Sequence, residues 1–244
     1  MAWINLQLSL LFSKKTVGLM CLFVLISVVI YVTQANLQLS ISEMDCYREF
    51  YAQEFLNASI IATKFITVTI HILIISQSCS NQANRFALLL ITGQPSKIPF
   101  LLSKCLAFLL ATALFSLTQG FLLTGLILIF TPYRYPAMTL INLLASIYLE
   151  AVVFAFVQMI LMKLTGLALS SAIPLCLYWA MEYFEASFHE VMRPSWLRLL
   201  HNLFPHLIQD QSGWKFIASP MMITCAGFFW FFLSIFLYLK SDWR

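Results

Sequence analysis

Charge is what this sequence has least of. Asp, Glu, Lys and Arg together make up 10% of its 244 residues, against 61% hydrophobic residues. A soluble domain carries about a quarter charged residues, so a water-covered globular enzyme is excluded. The mean hydropathy is +0.87. There is no run of Lys or Arg, and the net charge is only +4, which argues against nucleic-acid binding. The six cysteines, Cys21, Cys46, Cys79, Cys105, Cys176 and Cys225, are scattered. No clustered pairs offer a zinc site, and only Cys46 falls in an expected outer loop, so no disulfide framework is expected. A phosphate-binding loop is also missing. TGQPSK, from Thr92 to Lys97, does not have the spacing that wraps a nucleotide's phosphates. The apolar stretch Trp3 to Phe12 precedes Lys14 and Lys15, the reverse of a secretory signal's charge order.

What the sequence does have is long apolar runs. They extend from Thr16 to Val32, Ala58 to Ser76, Cys105 to Phe130, Ala137 to Met162, Gly166 to Met181 and Phe216 to Leu239. A spanning helix needs roughly 20 mainly apolar residues. The expected fold is therefore an all-α polytopic membrane protein with six transmembrane helices. It is expected to be one domain over 1–244, with an interfacial helix at 1–15, the bundle at 16–239 and a tail at 240–244.

Orientation follows from Lys and Arg. With the N-terminus inside, the cytoplasmic segments hold Lys14, Lys15, Arg85, Lys97, Lys104, Lys163, Lys240 and Arg244, with Asp242 as their one acid. The outer segments collect Glu43, Asp45, Glu49, Glu54, Glu182, Glu185, Glu190 and Asp210, with fewer basic residues. Both termini are expected in the cytoplasm.

Three connecting segments carry pattern. In residues 1–13, Asn5, Ser9 and Ser13 recur every four, a polar stripe suited to a helix in the interface. In Asn81 to Lys104, Asn81 can cap a short helix bearing Phe86, Leu89 and Leu90 on one face. Gly93 and Pro95 end it. Ser96 can cap the next span, with Pro99 in its first turn. In Glu182 to Lys215, Ser195 follows Pro194 and can cap a helix. Trp196, Leu199, Leu200, Leu203 and Phe204 then form an amphipathic stripe, and Pro205 stops it. An outer helical hairpin is expected between spans five and six.

Polar residues inside spans are costly and point to function. Asn57, Lys64, His71 and Ser78 recur every seven residues, so they share one face of the second span, with Thr67 beside them. Glu150 lies mid-way along the fourth. An isolated carboxylate there costs about 2.5–3.5 kcal/mol, so it is expected to be neutral or paired with Lys64 or His71. A structural hydrogen bond, a substrate or gating role and a proton relay all remain open for this group. Glu185 and His189 are four apart, as metal ligands can be, yet Glu182, Glu185, His189 and Glu190 read more simply as a solvated interfacial face. His201 and His206 read as interfacial.

This layout resembles the ABC-2 type permease subunits of bacterial ABC transporters over nearly its whole length. The local match is RFALLLITGQPSKIPFLLSKCLA, from Arg85 to Ala107, with Pro95, Ser96, Lys97 and Lys104 in the family's order. Asn84 and Ala87-Leu88 stand where the family often has an acid and a Gly-Thr pair. The resemblance implies that Arg85, Phe86, Leu89, Leu90, Pro95, Ser96 and Lys97 form a coupling helix docking on a separate ABC ATPase. Two ATPase copies, which carry the ATP and Mg, and a second permease subunit, identical or homologous, complete such a transporter. This chain would bind no cofactor, and it would sit in the bacterial cell membrane. The compact size is similar to permeases that export, or give immunity to, antimicrobial peptides such as lantibiotics. A non-ATP-driven transporter or accessory scaffold is the alternative. An intramembrane metalloprotease lacks its paired glutamates here.

Overall fold

The computed structural model describes residues 7–8, 11–39, 48–79, 98–130, 137–165, 168–187, 195–210, 213–216 and 218–240. Four long apolar helices come first: α1 (Lys14–Leu39), α2 (Arg48–Ser78), α3 (Ile98–Phe130) and α4 (Ala137–Thr165). A 3-10 turn (Ala168–Ser171) leads into α5 (Ala172–Ser187). Then come a short helix α6 (Ser195–Leu203), strands β1 (Leu207–Asp210) and β2 (Gly213–Phe216), and the long helix α7 (Pro220–Lys240). Five of these, α1 to α4 and α7, are long and apolar enough to cross a bilayer. Among the described residues the chain is an all-α polytopic membrane protein apart from one small β-ribbon.

Local chemistry explains several of the ends. Ser13 Oγ accepts from the Thr16 N–H at 3.4 Å and caps α1. Ser219 Oγ does the same for Met222 at the start of α7, with Pro220 in the first helical position, where its missing N–H costs nothing. Pro174 explains why α5 begins at Ala172 and not nearer Gly166. Proline fits the first turn of a helix but breaks an interior one. The resulting 16 residues of α5 extend about 24 Å, short of the roughly 30 Å hydrocarbon core.

The helices alternate in direction. One apolar cluster joins the C-terminal ends of α2, α4 and α7 to the N-terminal part of α3, through Ile74, Ile75, Cys105, Phe108, Met159, Met162 and Tyr238. A second cluster, with Tyr31, Phe55, Ile60, Leu123, Ile127, Leu143 and Ile147, gathers the opposite ends with β1. Lys14, Lys15, Lys104, Lys163 and Lys240 thus belong to helix ends at the first pole, and Glu54 to the second.

α2 is the centre of the bundle. It packs on α1 and α4, and α4 in turn carries α7. Two thirds of α2's apolar window is enclosed (67%), against 17% for α1 and for α7, so those two helices are peripheral. Their outward faces, with Leu22, Leu25 and Val29 on α1 and Phe228, Phe232 and Phe236 on α7, are exposed apolar surface, the solvent of which is lipid. At Gly120, α3 approaches α4 closely: a Cβ there would lie 2.5 Å from Leu144 Cδ1.

The connection between α5 and α7 departs from the expected helical hairpin. The helix predicted to start at Ser195 is present as α6, but an antiparallel ribbon follows it, with Leu207 opposite Phe216 and Asp210 opposite Gly213. The alternation Trp214, Lys215, Phe216 ahead of α7 is the sequence signal for it. The expected interfacial helix at 1–15 falls largely outside the described residues.

Candidate functional site: a buried polar cluster between the helices

The seven-residue repeat on α2 turns one polar face into the bundle. Asn57, Lys64, Thr67 and His71 are all buried. Two helical turns apart, they meet different neighbours, and only the upper part of the stripe reaches other charged groups.

Lys64 is fully enclosed. Its Nζ donates to a carboxylate oxygen of Glu182 on α5 and to the backbone carbonyl of Leu207 at the start of β1. It also lies 5.4 Å from the Trp214 ring centre, within cation–π range, and the Trp214 indole N–H donates to Asn57 Oδ1 at 3.3 Å. The expected partner, Glu150, is close by but not bonded to Lys64. Its Oε1 lies 2.6 Å from His206 Nδ1, with both side chains fully buried. That approach is off-axis: neither Glu150 oxygen and neither His206 ring nitrogen completes a hydrogen bond. His206 Nε2 is 3.5 Å from Glu182 Oε1. The Tyr178 hydroxyl donates to the same oxygen at 3.3 Å.

His201 completes the cluster. Its ring stacks on His206 with centres 5.6 Å apart, and its Nε2 is 2.6 Å from Glu185 Oε1. Both histidines are buried inside the protein, and Glu182 and Glu185 are engaged with Lys64 and His201 instead of forming a solvated face. His189 and Glu190 lie outside the described residues. Burial is the main reason that the His206 imidazole is held well below its ordinary range, and the Lys64 charge acts in the same direction. Glu182 and Glu185 pull it the other way, and His201 adds to the lowering. At neutral pH the ring is therefore uncharged.

His71 belongs to a separate place. Its Nδ1 bonds the Thr67 carbonyl one turn back at 2.7 Å, and the ring sits edge-on to Phe108 and Tyr148. It does not meet Glu150. A further buried polar junction, which sequence pattern did not single out, is Gln158 on α4, whose amide lies 2.8 Å from Ser76 Oγ on α2 and 3.2 Å from Ser170 Oγ in the 3-10 turn.

α6 explains how the histidines get inside. Its apolar stripe is split: Trp196, Leu199 and Leu203 are exposed, Leu200 and Phe204 pack against the bundle, and Leu197 and His201 are buried. In water the whole stripe would turn inward. Beside lipid, part of it can face outward, and here that lets His201 turn in to the cluster. Among the described residues no group of three or more His, Cys, Asp or Glu is arranged to hold a metal ion. The expected coupling residues Arg85, Phe86, Leu89, Leu90, Pro95, Ser96 and Lys97 all lie outside the described residues. No protein-family model matches this chain, and no curated protein matches it.

Proposed function

We propose that this protein is the membrane subunit of an ATP-driven exporter of the ABC-2 permease kind. In this reading α5 is a sixth span, both termini face the cytoplasm, and the chain lies in the bacterial cell membrane. The substrate would be an amphipathic peptide of the antimicrobial class. The observation that carries a transport role is the enclosed cluster of Lys64, Glu150, Glu182 and His206. Each charge placed mid-membrane costs about 2.5–3.5 kcal/mol. Here these polar groups draw α2, α4 and α5 onto the α6–ribbon connection, which caps the pole opposite the lysine-bearing helix ends. A passive anchor needs no such cluster, whereas a path that opens and closes needs contacts that can be made and broken.

Energy then has to arrive by contact, because the sequence has no phosphate-binding loop of its own. The segment from Gln82 to Lys97 suits that contact. On a helix Phe86, Leu89 and Leu90 would share one small apolar face, with Arg85 and Lys97 flanking them in the sequence, and Gly93 with Pro95 would make a stiff corner ahead of α3. The test is co-purification of an ABC ATPase expressed from the neighbouring reading frame. Phe86→Glu combined with Leu90→Glu is expected to abolish the pull-down and any stimulation of ATP turnover, while the chain still inserts. Survival of both in the double variant would overturn the assignment.

A further inference from the structure

The cluster sets three carboxyl groups, Glu150, Glu182 and Glu185, against one lysine and two histidines. Lys64 pairs with Glu182, and Glu185 is hydrogen-bonded by His201. That leaves Glu150 facing His206, both fully buried and 2.6 Å apart, with the side-chain oxygens and ring nitrogens of the two lacking a completed hydrogen bond. The Leu207 backbone N–H, the Lys64 charge, His201 and Tyr178 are the other polar neighbours of the carboxyl; Lys64 is already engaged by Glu182 and His201 by Glu185. A bare carboxylate in that position would be a poorly compensated buried charge. The contact is too close to admit an ion or an ammonium group between the two. A proton is the one cation that fits.

We propose that Glu150 and His206 form a proton-binding site, and that the single proton they share seats the connection from Ser195 to Phe216 in the bundle. His206 stands at the joint between α6 and β1, and the next carbonyl, that of Leu207, is bonded by Lys64. Seating this one residue therefore seats the ribbon. The groups facing His206 are Glu150 from α4, Glu182, Glu185 and Tyr178 from α5, Lys64 from α2 and His201 from α6. The inference does not depend on an ATPase partner.

The pair titrates as a unit, and the sign of its effect follows from counting protons. When the connection lifts away, the two groups meet water and titrate near their ordinary values, about 4.3 for the carboxyl and about 6.5 for the imidazole. Between those values the released pair holds one proton and the seated pair also holds one, so seating does not change with pH. Above about pH 6.5 the released pair holds none, so seating takes up a proton and weakens as pH rises, by up to about tenfold per pH unit. Below about pH 4.3 the released pair holds two, and seating weakens as pH falls.

The experiment is hydrogen exchange by mass spectrometry on the full chain in lipid nanodiscs, corrected for the intrinsic pH dependence of amide exchange. Protection of peptides covering 195–216 is expected to fall as the pH rises above about 6.5, while protection of α2 peptides stays level. Glu150→Gln mimics the protonated carboxyl and is expected to keep 195–216 protected across that range. In parallel, a protonated-carboxyl infrared band from glutamate labelled with carbon-13 should be present near pH 6 and fade over the same range. Flat wild-type protection overturns the proposal, as does an unchanged slope in Glu150→Gln. If that variant does not fold, the wild-type slope and the infrared band decide: a band absent, or one titrating apart from the protection, overturns it.

Discussion

Replacing Lys64 by methionine keeps an unbranched apolar stem, one atom shorter, and removes the charge. In the folded chain this charge has no access to solvent, and its Nζ is shared between Glu182 and the Leu207 carbonyl. The substitution leaves Glu182 without its counter-charge and the Leu207 carbonyl without its donor. Breaking a buried pair by removing one partner costs about 3–5 kcal/mol. The Glu182 side chain retains 21% of its exposure, so water softens the penalty and the lower end, about 3 kcal/mol, applies. For a chain of this size that corresponds to a fall in Tm of roughly 6–12 °C. Intrinsic tryptophan fluorescence during a thermal melt in detergent micelles reads it. The informative companion is Lys64→Met with Glu182→Gln, which removes both charges. Replacing a whole pair is often close to neutral, so the double variant is expected within about 1 kcal/mol of wild type, recovering about 2 kcal/mol relative to Lys64→Met alone. The reasoning fails if Lys64→Met alone melts with wild type, or if the double variant is no better than the single one.

The close approach at Gly120 makes a second prediction. Gly120→Val is expected to displace the Leu144 side chain and cost about 1 kcal/mol, whereas Gly125→Ala, with open space around its Cβ, is expected to raise Tm slightly by helix propensity; equal melts for the two would refute the contact. Leu199→Glu with Leu203→Glu places two carboxylates on the exposed apolar face of α6. A lipid-facing position predicts loss of folded yield in the membrane fraction, and wild-type yield would mean that this face meets water. For topology, cysteines at Glu49 and Ser212 are expected to react with an impermeant maleimide from outside, and cysteines at Gln94 and Ser241 only after the membrane is opened. Labelling of Gln94 in intact cells would refute the six-span arrangement.

The sequence by itself determined that this chain lives in a membrane, because so few charges cannot solvate a surface and the apolar runs match the thickness of a bilayer. It determined which face of α2 is enclosed, since a seven-residue period is two helical turns and aligns Asn57, Lys64 and His71. It also placed the start of α6, through Pro194 and Ser195. Pairing was beyond it. Glu150 met His206 instead of Lys64 or His71, because a partner far along the chain is chosen by how helices rotate and by how deep a connection reaches. The short α5 was legible in Pro174 only once proline's place in a first turn was weighed against a run of apolar residues. The inward turn of His201 was hidden for a different reason: α6 has apolar surroundings on two sides, the bundle at Leu200 and Phe204 and the outside at Leu199 and Leu203, so its stripe alone does not say which polar side chain is enclosed. Periodicity names a face. Only the tertiary structure says what the face looks at.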